Sequence, residues 1–355
     1  MIAERLAAQL LSGPAARSPE HVVRRLLAVQ AQDSRGVRLS VRCRSIGLTA
    51  NDVDAALTDR RSLLITWLNR GTLHLVEAAD YWWLQPLTTP QLATANQRRL
   101  RQEGVTPAQA GRGIDVVVGA VESGAPHTRA GLKARRDAAG VPTRGQALVH
   151  VLVAASIRGH VVRGPVVDGE QAFVSARTWL GTPPPALGRE EALARLARRY
   201  LAGHGPATAR DLAKWAGVTL GDARLGLGGI DDELTDRGEG LVDLVARDQS
   251  ADPPPPRLLG PFDPLLLGWV SRDELIGARP ITSHPQVATT NGLIRPVALV
   301  DGRVVGTWGL ADGTVTIRLW APLTAAVRDA LTREAADVLR FLSLPHRDPT
   351  IIAAL

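Results

Sequence analysis

Two near-identical turns, Ala139-Gly140-Val141 and Ala216-Gly217-Val218, constrain this chain more than any other feature in it. Each separates two stretches with helical spacing of apolar residues, and two short β-rich runs follow each pair. The first turn ends a helix expected from Thr128 to Ala139 and precedes one expected from Thr143 to Ile157. Leu148, Val151, Leu152 and Ala155 form the buried stripe of that second helix. Strands are expected around Val161–Val162 and Ala172–Val174. At the second turn, a helix opening at Thr208 ends at Ala216 and another starts near Thr219, with strands around Glu233–Leu234 and Leu241–Val245. One local grammar used twice indicates an internal repeat.

A helix–turn–helix followed by a β-hairpin is the winged-helix plan, in which the second helix usually enters the DNA major groove. The N-terminal third reads the same way. Ile2, Leu6 and Leu10 stripe an opening helix, and Val22, Val23, Leu26 and Leu27 stripe a second that starts at Pro19. A third begins at Thr49 with Asp52 in its first turn. The run SLLITWLNRGTLHLV reads as a hairpin turning at Asn69-Arg70-Gly71. A long helix from Ala79 through Arg101 and one from Pro107 to Val121 follow, and Leu193, Leu196, Ala197 and Tyr200 stripe another after residue 185.

Proline clusters at Pro183–Pro185 and Pro253–Pro256 resist helix and read as linkers. The ranges that result are 1–104, 105–182 and 186–250 for three winged-helix-like units, and 257–355 for a β-rich end. In that last range VALVDGRVVGTW turns at Asp301-Gly302, a strong hairpin signal, and Asp312-Gly313 leads into TVTIRLW. A helix striped by Leu323, Val327, Leu331, Leu339 and Leu342 closes the chain. The expected fold is α+β, mainly helical tandem winged-helix units followed by a small antiparallel β-barrel-like domain.

Composition narrows the chemistry. The chain has 355 residues, no apolar run near the 18 or so that a membrane helix needs, no visible secretory signal, and one cysteine, Cys43. It therefore reads as intracellular and free of disulfides, with a cytoplasmic, nucleoid-associated location expected. Its 42 basic residues against 35 acidic give +7, and only Lys133 and Lys214 are lysines. A modest arginine surplus suits a polyanionic partner, since guanidinium grips phosphate in two places. No lysine follows a glycine, so there is no P-loop; there is no G-x-S-x-G, HExxH or C-x-x-C; and the histidines are scattered.

The segment HVVRRLLAVQAQD holds the most informative anomaly. Extending its buried stripe places Gln30 where an apolar residue belongs, and a buried amide is costly unless hydrogen-bonded. Gln32 follows two residues on. In a helix such residues diverge, whereas in extended chain they share a face. If the two act together, the helix must end near Gln30 and the backbone must straighten; the alternative is a helix C terminus with two solvated amides.

AVQAQD, TWLNRGTLHLV, GPATARDLAKWAG, LLGPFDPLLLGW and NGLIRPVALVDGRVVGTW, in that order, resemble the AlkZ-like and YcaQ-like winged-helix DNA glycosylases. The resemblance covers most of the chain. It implies tandem winged helices and a small β-domain forming a concave DNA-binding surface, with a catalytic Gln-apolar-Gln in the AlkZ-like branch and Gln-apolar-Asp in the other. Gln30-Ala31-Gln32 matches the former. Expected partners are double-stranded DNA with damaged purines and no membrane; the protein is expected to be a monomer and to need no metal or organic cofactor.

The implied chemistry is physically reasonable. A purine alkylated at N7 or N3 is cationic and leaves without a strong general acid, through an oxocarbenium-like transition state. Glutamine cannot be a general base, but its carbonyl can orient water and stabilise positive charge on the sugar. Unmodified purines should then be left alone. Arg35 and Arg38 are candidates for phosphate contacts or a solvated, ion-paired face. Thr72 and His74 share a strand face with Val76 and are candidates for contact near the lesion or for structural roles, and Arg144, at the start of the middle unit's second helix, suits a phosphate. Trp67, Trp82, Trp83 and Cys43 read as core, and Asn291 and Arg295 sit in a resembling block without a derivable role. The rival readings are a non-catalytic winged-helix regulator with a vestigial Gln-x-Gln, and an inert interaction scaffold.

Overall fold

Side-chain caps set many of the helix boundaries in the computed structural model of this chain. Ser18 caps the helix Pro19–Leu26, Thr128 the helix Arg129–Ala138, Thr219 the helix Leu220–Gly228 and Thr324 the helix Ala325–Phe341. Thr106 and Gln109 form a reciprocal capping box at Pro107–Glu122. At Thr49 the order is reversed: its N–H and hydroxyl donate to Asp52 at 2.7 and 2.8 Å, opening the helix Ala50–Thr58.

The structure describes residues 1–245, 254–277, 287–289 and 292–353. Asn291 and Pro253 lie outside them. The architecture is mixed α+β, and the described chain gathers into two compact units: Met1–Val53, Leu193–Trp215 and Thr219–Leu355 form the first, Asp54–Ala192 and Ala216–Val218 the second. No helix among the described residues is long and apolar enough to cross a membrane.

In the first unit a five-stranded sheet runs in the order Thr350–Ala353, Thr314–Leu319, Arg303–Ala311, Val297–Val300, Arg257–Leu259. Its hairpins turn where Asp-Gly predicts, with Asp301 at φ 48 and Asp312 at φ 51. The sheet is open rather than barrel-like, and its last strand is parallel to Thr314–Leu319. The cause is the helix Ala325–Phe341, which carries the chain back before the edge strand is laid down, and such a crossover yields a parallel pair. That helix buries Leu331, Ala335, Val338 and Leu339 against Leu258, Ala298, Trp308 and Ile317. A smaller three-stranded sheet, Ala207–Thr208, Leu241–Leu244 and Leu234–Asp236, has its first strand before and its other two after the helices Ala209–Ala216 and Leu220–Gly228.

Within the second unit four strands run in the order Thr72–Glu77, Leu63–Leu68, Val161–Val167, Glu170–Ser175. The expected hairpin turns at Asn69 and Gly71, at φ 54 and 84. The expected long helix from Ala79 is two, Ala78–Thr88 and Leu92–Gln102, because Pro90 cannot donate a helical hydrogen bond. The helix expected from Thr143 starts at Ala147. Gly145 holds φ 56, and the Gln146 N–H donates to Glu103 at 2.9 Å, a partner 43 residues away that no local pattern announces. Gly140 and Gly217, in the twin turns, sit at φ 67 and 71, as glycine after a helix does.

His74 lies buried on the strand Thr72–Glu77, its Nδ1 2.9 Å from the Thr72 carbonyl. A carbonyl only accepts, so Nδ1 carries the proton. Burial, then the nearby Arg70 cation, push His74 down to about 3.

The first unit turns on two buried arginines. Arg44, with none of its side chain exposed, donates from Nη1 and Nη2 to the two oxygens of Asp263 at 2.9 and 2.8 Å, and from Nη2 to Gln9 at 2.7 Å. Arg42 donates to Glu334 at 2.8 Å, Asp337 at 2.9 Å and the Leu258 carbonyl at 2.8 Å. Burial opposes each cation, yet the facing carboxylates outweigh it and hold both guanidiniums protonated more firmly than usual.

Removing one member of a buried pair strands the other. Arg44→Met should cost about 3–5 kcal/mol, read as a fall of roughly 10 °C in the unfolding midpoint. The double variant Arg44→Met/Asp263→Asn should lose less than the sum of the single changes, and strict additivity would refute the coupling. For His74 the folded pKa lies below the unfolded value of about 6.5, so its contribution is intact above that pH. It is lost as pH falls toward about 3, with a slope of about 1.4 kcal/mol per pH unit. His74→Asn should flatten the fall in the unfolding midpoint between pH 6.5 and 4 compared with the wild type.

Candidate active site

The helix Pro19–Leu26 stops four residues short of Gln30, at Leu27, a buried residue held at φ 62. A leucine at positive φ costs on the order of 1–3 kcal/mol and persists only where surroundings over-determine it. The chain then straightens: Val29–Gln30 is a two-residue strand, Ala31 is buried, and Gln32 and Asp33 form a bend. The helix thus ends before both glutamines, and the backbone is extended at Gln30 before it bends at Gln32. Their settings differ, because the bend turns Gln32 outward. Gln30 is 8% exposed, and its amide makes no side-chain hydrogen bond to another described residue; Gln32 is exposed.

Asp33 ends the bend by capping the helix Ser34–Arg42, its Oδ1 accepting from the Gly36 N–H at 2.6 Å. That motif helix is pinned along its length. A Cβ on Gly36 would lie 2.6 Å from the Pro261 carbonyl, and one on Gly260 would lie 2.9 Å from the Leu39 Cβ, so glycine is required on both sides of the crossing. Arg42 ends the helix, and Arg44 follows two residues later, each held as described above. Sequence reasoning left residues 34–42 without an element and did not single out Arg42 or Arg44. The signal was there in VRCR and FDP, two arginines and one aspartate inside apolar stretches.

Arg35 sits exposed in the first turn of the motif helix, beside Gln32 in sequence. Arg38 folds back along the same helix, Nη1 donating to the Ser34 carbonyl at 2.6 Å. Gln30, Gln32, Arg35 and Arg38 therefore occupy one strand–bend–helix segment of the first unit. Thr72, His74 and Arg144 belong to the second unit. Thr72 is half-buried, its hydroxyl without a partner among the described residues, and His74 is a neutral, buried imidazole. Arg144 is exposed in the turn before the helix Ala147–Ile157, three residues earlier than a place on that helix. Arg295 follows Ile294 in an isolated bridge with Ala288.

The remaining side chains pack. Trp67 and Trp83 are buried, Trp83 Nε1 donating to Asp80 at 2.9 Å. Burial pushes the Cys43 thiol up to about 12. The runs GPATARDLAKWAG and LLGPFDPLLLGW meet at His204: Trp215 and Trp269 lie 5.1 and 5.8 Å from its ring, and Trp269 Nε1 donates to its carbonyl at 2.9 Å.

Chemically, the segment offers two neutral amides, one enclosed and one open to solvent. Each amide carries an acceptor oxygen and two N–H donors. Asp33, the nearest carboxylate in sequence, is already engaged as a cap.

The family described as DNA glycosylase AlkZ-like matches residues 23–341. An interstrand DNA cross-link repair glycosylase of Streptomyces sahachiroi is 30% identical over 371 aligned residues, covering 96% of this chain and 95% of that protein. The solved structure of the Streptomyces sahachiroi DNA glycosylase AlkZ superimposes with a TM-score of 0.79 at 26% identity, covering 99% of this chain and 98% of that one. A match over nearly the whole length, from the glutamine segment to the end of the last long helix, places this chain in the AlkZ-like DNA glycosylase family.

Proposed function

We propose that this chain hydrolyses the N-glycosidic bond of alkylated or cross-linked purines in DNA, as a monofunctional glycosylase and as a monomer. The carrying observation is the break between two helices that sets Gln30, enclosed and without a side-chain partner among the described residues, two residues before the exposed Gln32. On this reading the Gln30 carbonyl accepts from an attacking water, and Gln32 completes its orientation at the sugar. The relative's action on interstrand cross-links supports a substrate with a bulky cationic purine.

An amide pair has no proton to give a leaving base. The substrate must therefore carry its own leaving-group activation, which a charged N7 or N3 adduct does and an unmodified purine does not. The helix–turn–helix–hairpin runs ending at Ser175 and Leu244 serve as winged-helix modules on DNA, with Arg35 and Arg144 as phosphate contacts.

Base release from DNA carrying 7-methylguanine and from a nitrogen-mustard cross-link tests the reading. Gln30→Ala and Gln32→Ala should each slow release by about 100-fold while leaving DNA affinity within a few-fold of wild type. Unmodified duplex should lose no base. Absence of release by the wild type together with tight binding to an undamaged sequence would replace the glycosylase by a regulator.

A further inference from the structure

We propose that the second unit carries a binding site for a small amphipathic organic anion, in a cavity of about 230 Å³ lined by the helices Leu92–Gln102, Pro107–Glu122 and Ala147–Ile157. Its apolar wall comprises Leu100, Val105, Ile114, Ala154 and Ile157. The two polar side chains set among them are already engaged. Thr89 Oγ1 donates toward the carbonyls of Gln85 and Ile157 at 2.9 and 3.1 Å, and accepts from Gln85 Nε2 at 3.1 Å. Asn96 donates to the His150 carbonyl at 2.9 Å, and its Oδ1 meets the His150 Nδ1 at 2.9 Å. With both side chains engaged within the fold and the wall mainly apolar, the interior suits an apolar body.

The mouth is different. Gln97, Arg101 and Arg158 are exposed there, and no aspartate or glutamate lines the cavity. Among the described residues neither Arg101 nor Arg158 makes an ion pair or a side-chain hydrogen bond. Each closes a helix, where the macrodipole favours a cation. That accounts for each charge singly, but not for an apolar well between two free guanidiniums without a carboxylate. Guanidinium is weakly hydrated and forks onto a carboxylate or sulfonate. The volume falls below the range of roughly 300–1,000 Å³ that drug-sized ligands fill, so the occupant is a mono- or bicyclic body with one anionic group.

Calorimetric titration of the full chain with 2-naphthoate, and with the neutral 2-naphthamide of the same shape, tests this. Naphthoate should bind saturably at one site and at least about ten-fold more tightly than the amide, the worth of a charged hydrogen bond. In Arg101→Gln/Arg158→Gln, two exposed positions that folding does not depend on, the two probes should bind equally. Ala110→Trp, which fills the well, should abolish binding of both at an unchanged unfolding midpoint. Equal affinities in the wild type, a carboxylate preference that survives loss of both arginines, or binding undiminished in a folded Ala110→Trp would each overturn the assignment.

Discussion

A wholly buried guanidinium facing a wholly buried carboxylate is the constraint on which the first unit depends. Arg44 and Asp263 are 219 residues apart in sequence and meet through two hydrogen bonds of 2.9 and 2.8 Å. Neither charge could stay in the interior without the other. Their pairing therefore fixes the end of the motif helix against the loop before the three-residue 3-10 turn Pro264–Leu266. Arg42 repeats the logic one step away, tying the same helix to the last long helix through Glu334 and Asp337. Leu39 completes the anchorage by entering the apolar cluster beneath the open sheet. The glutamine segment is thus borne on a helix whose far end cannot shift independently of the C-terminal sheet.

This arrangement suits positioning chemistry. The amides proposed to hold water do not titrate, so what they contribute depends on placement alone. Placement is what the surroundings provide: an abrupt helix stop at Leu27, an aspartate cap after the second glutamine, and glycines at Gly36 and Gly260 that bring two backbones closer than any Cβ would allow. The same reasoning gives a role to a C-terminal domain that is opaque from composition. Through Asp263 it holds the end of a segment that precedes it by more than 200 residues.

Much of the architecture was legible in the residues. The β-rich run LLITWL, alternation in TLHLVE, Asp-Gly pairs, and threonine or serine before apolar stripes mark elements through purely local energies. Misreadings occurred where a distant group decided. Residues 34–42 read poorly because VRLSVR alternates apolar and polar side chains, yet a helix buried nearly all round keeps Ser40 and Arg42 inside, with the partners of Arg42 supplied by Leu258, Glu334 and Asp337. Glu103 delays the helix after Val141, Pro90 splits one helix into two, and an intervening helix makes the edge strand parallel.

The glutamine pair itself was visible as a polar intrusion on a helical stripe, because burying an amide is costly anywhere and needs a reason. The amino-acid order by itself determined the α+β class, the repeated helix–turn–helix–hairpin runs, the hairpin turns and the one segment worth suspecting. These follow from propensity, periodicity and capping, which act over a few residues. Only the tertiary structure decided that the helix stops at Leu27, that Gln30 is enclosed while Gln32 is open, and that Asp263 and Glu334 are the partners of Arg44 and Arg42. The arginine pairings depend on which charges are withdrawn from water together, and that is settled by contacts between residues hundreds of positions apart.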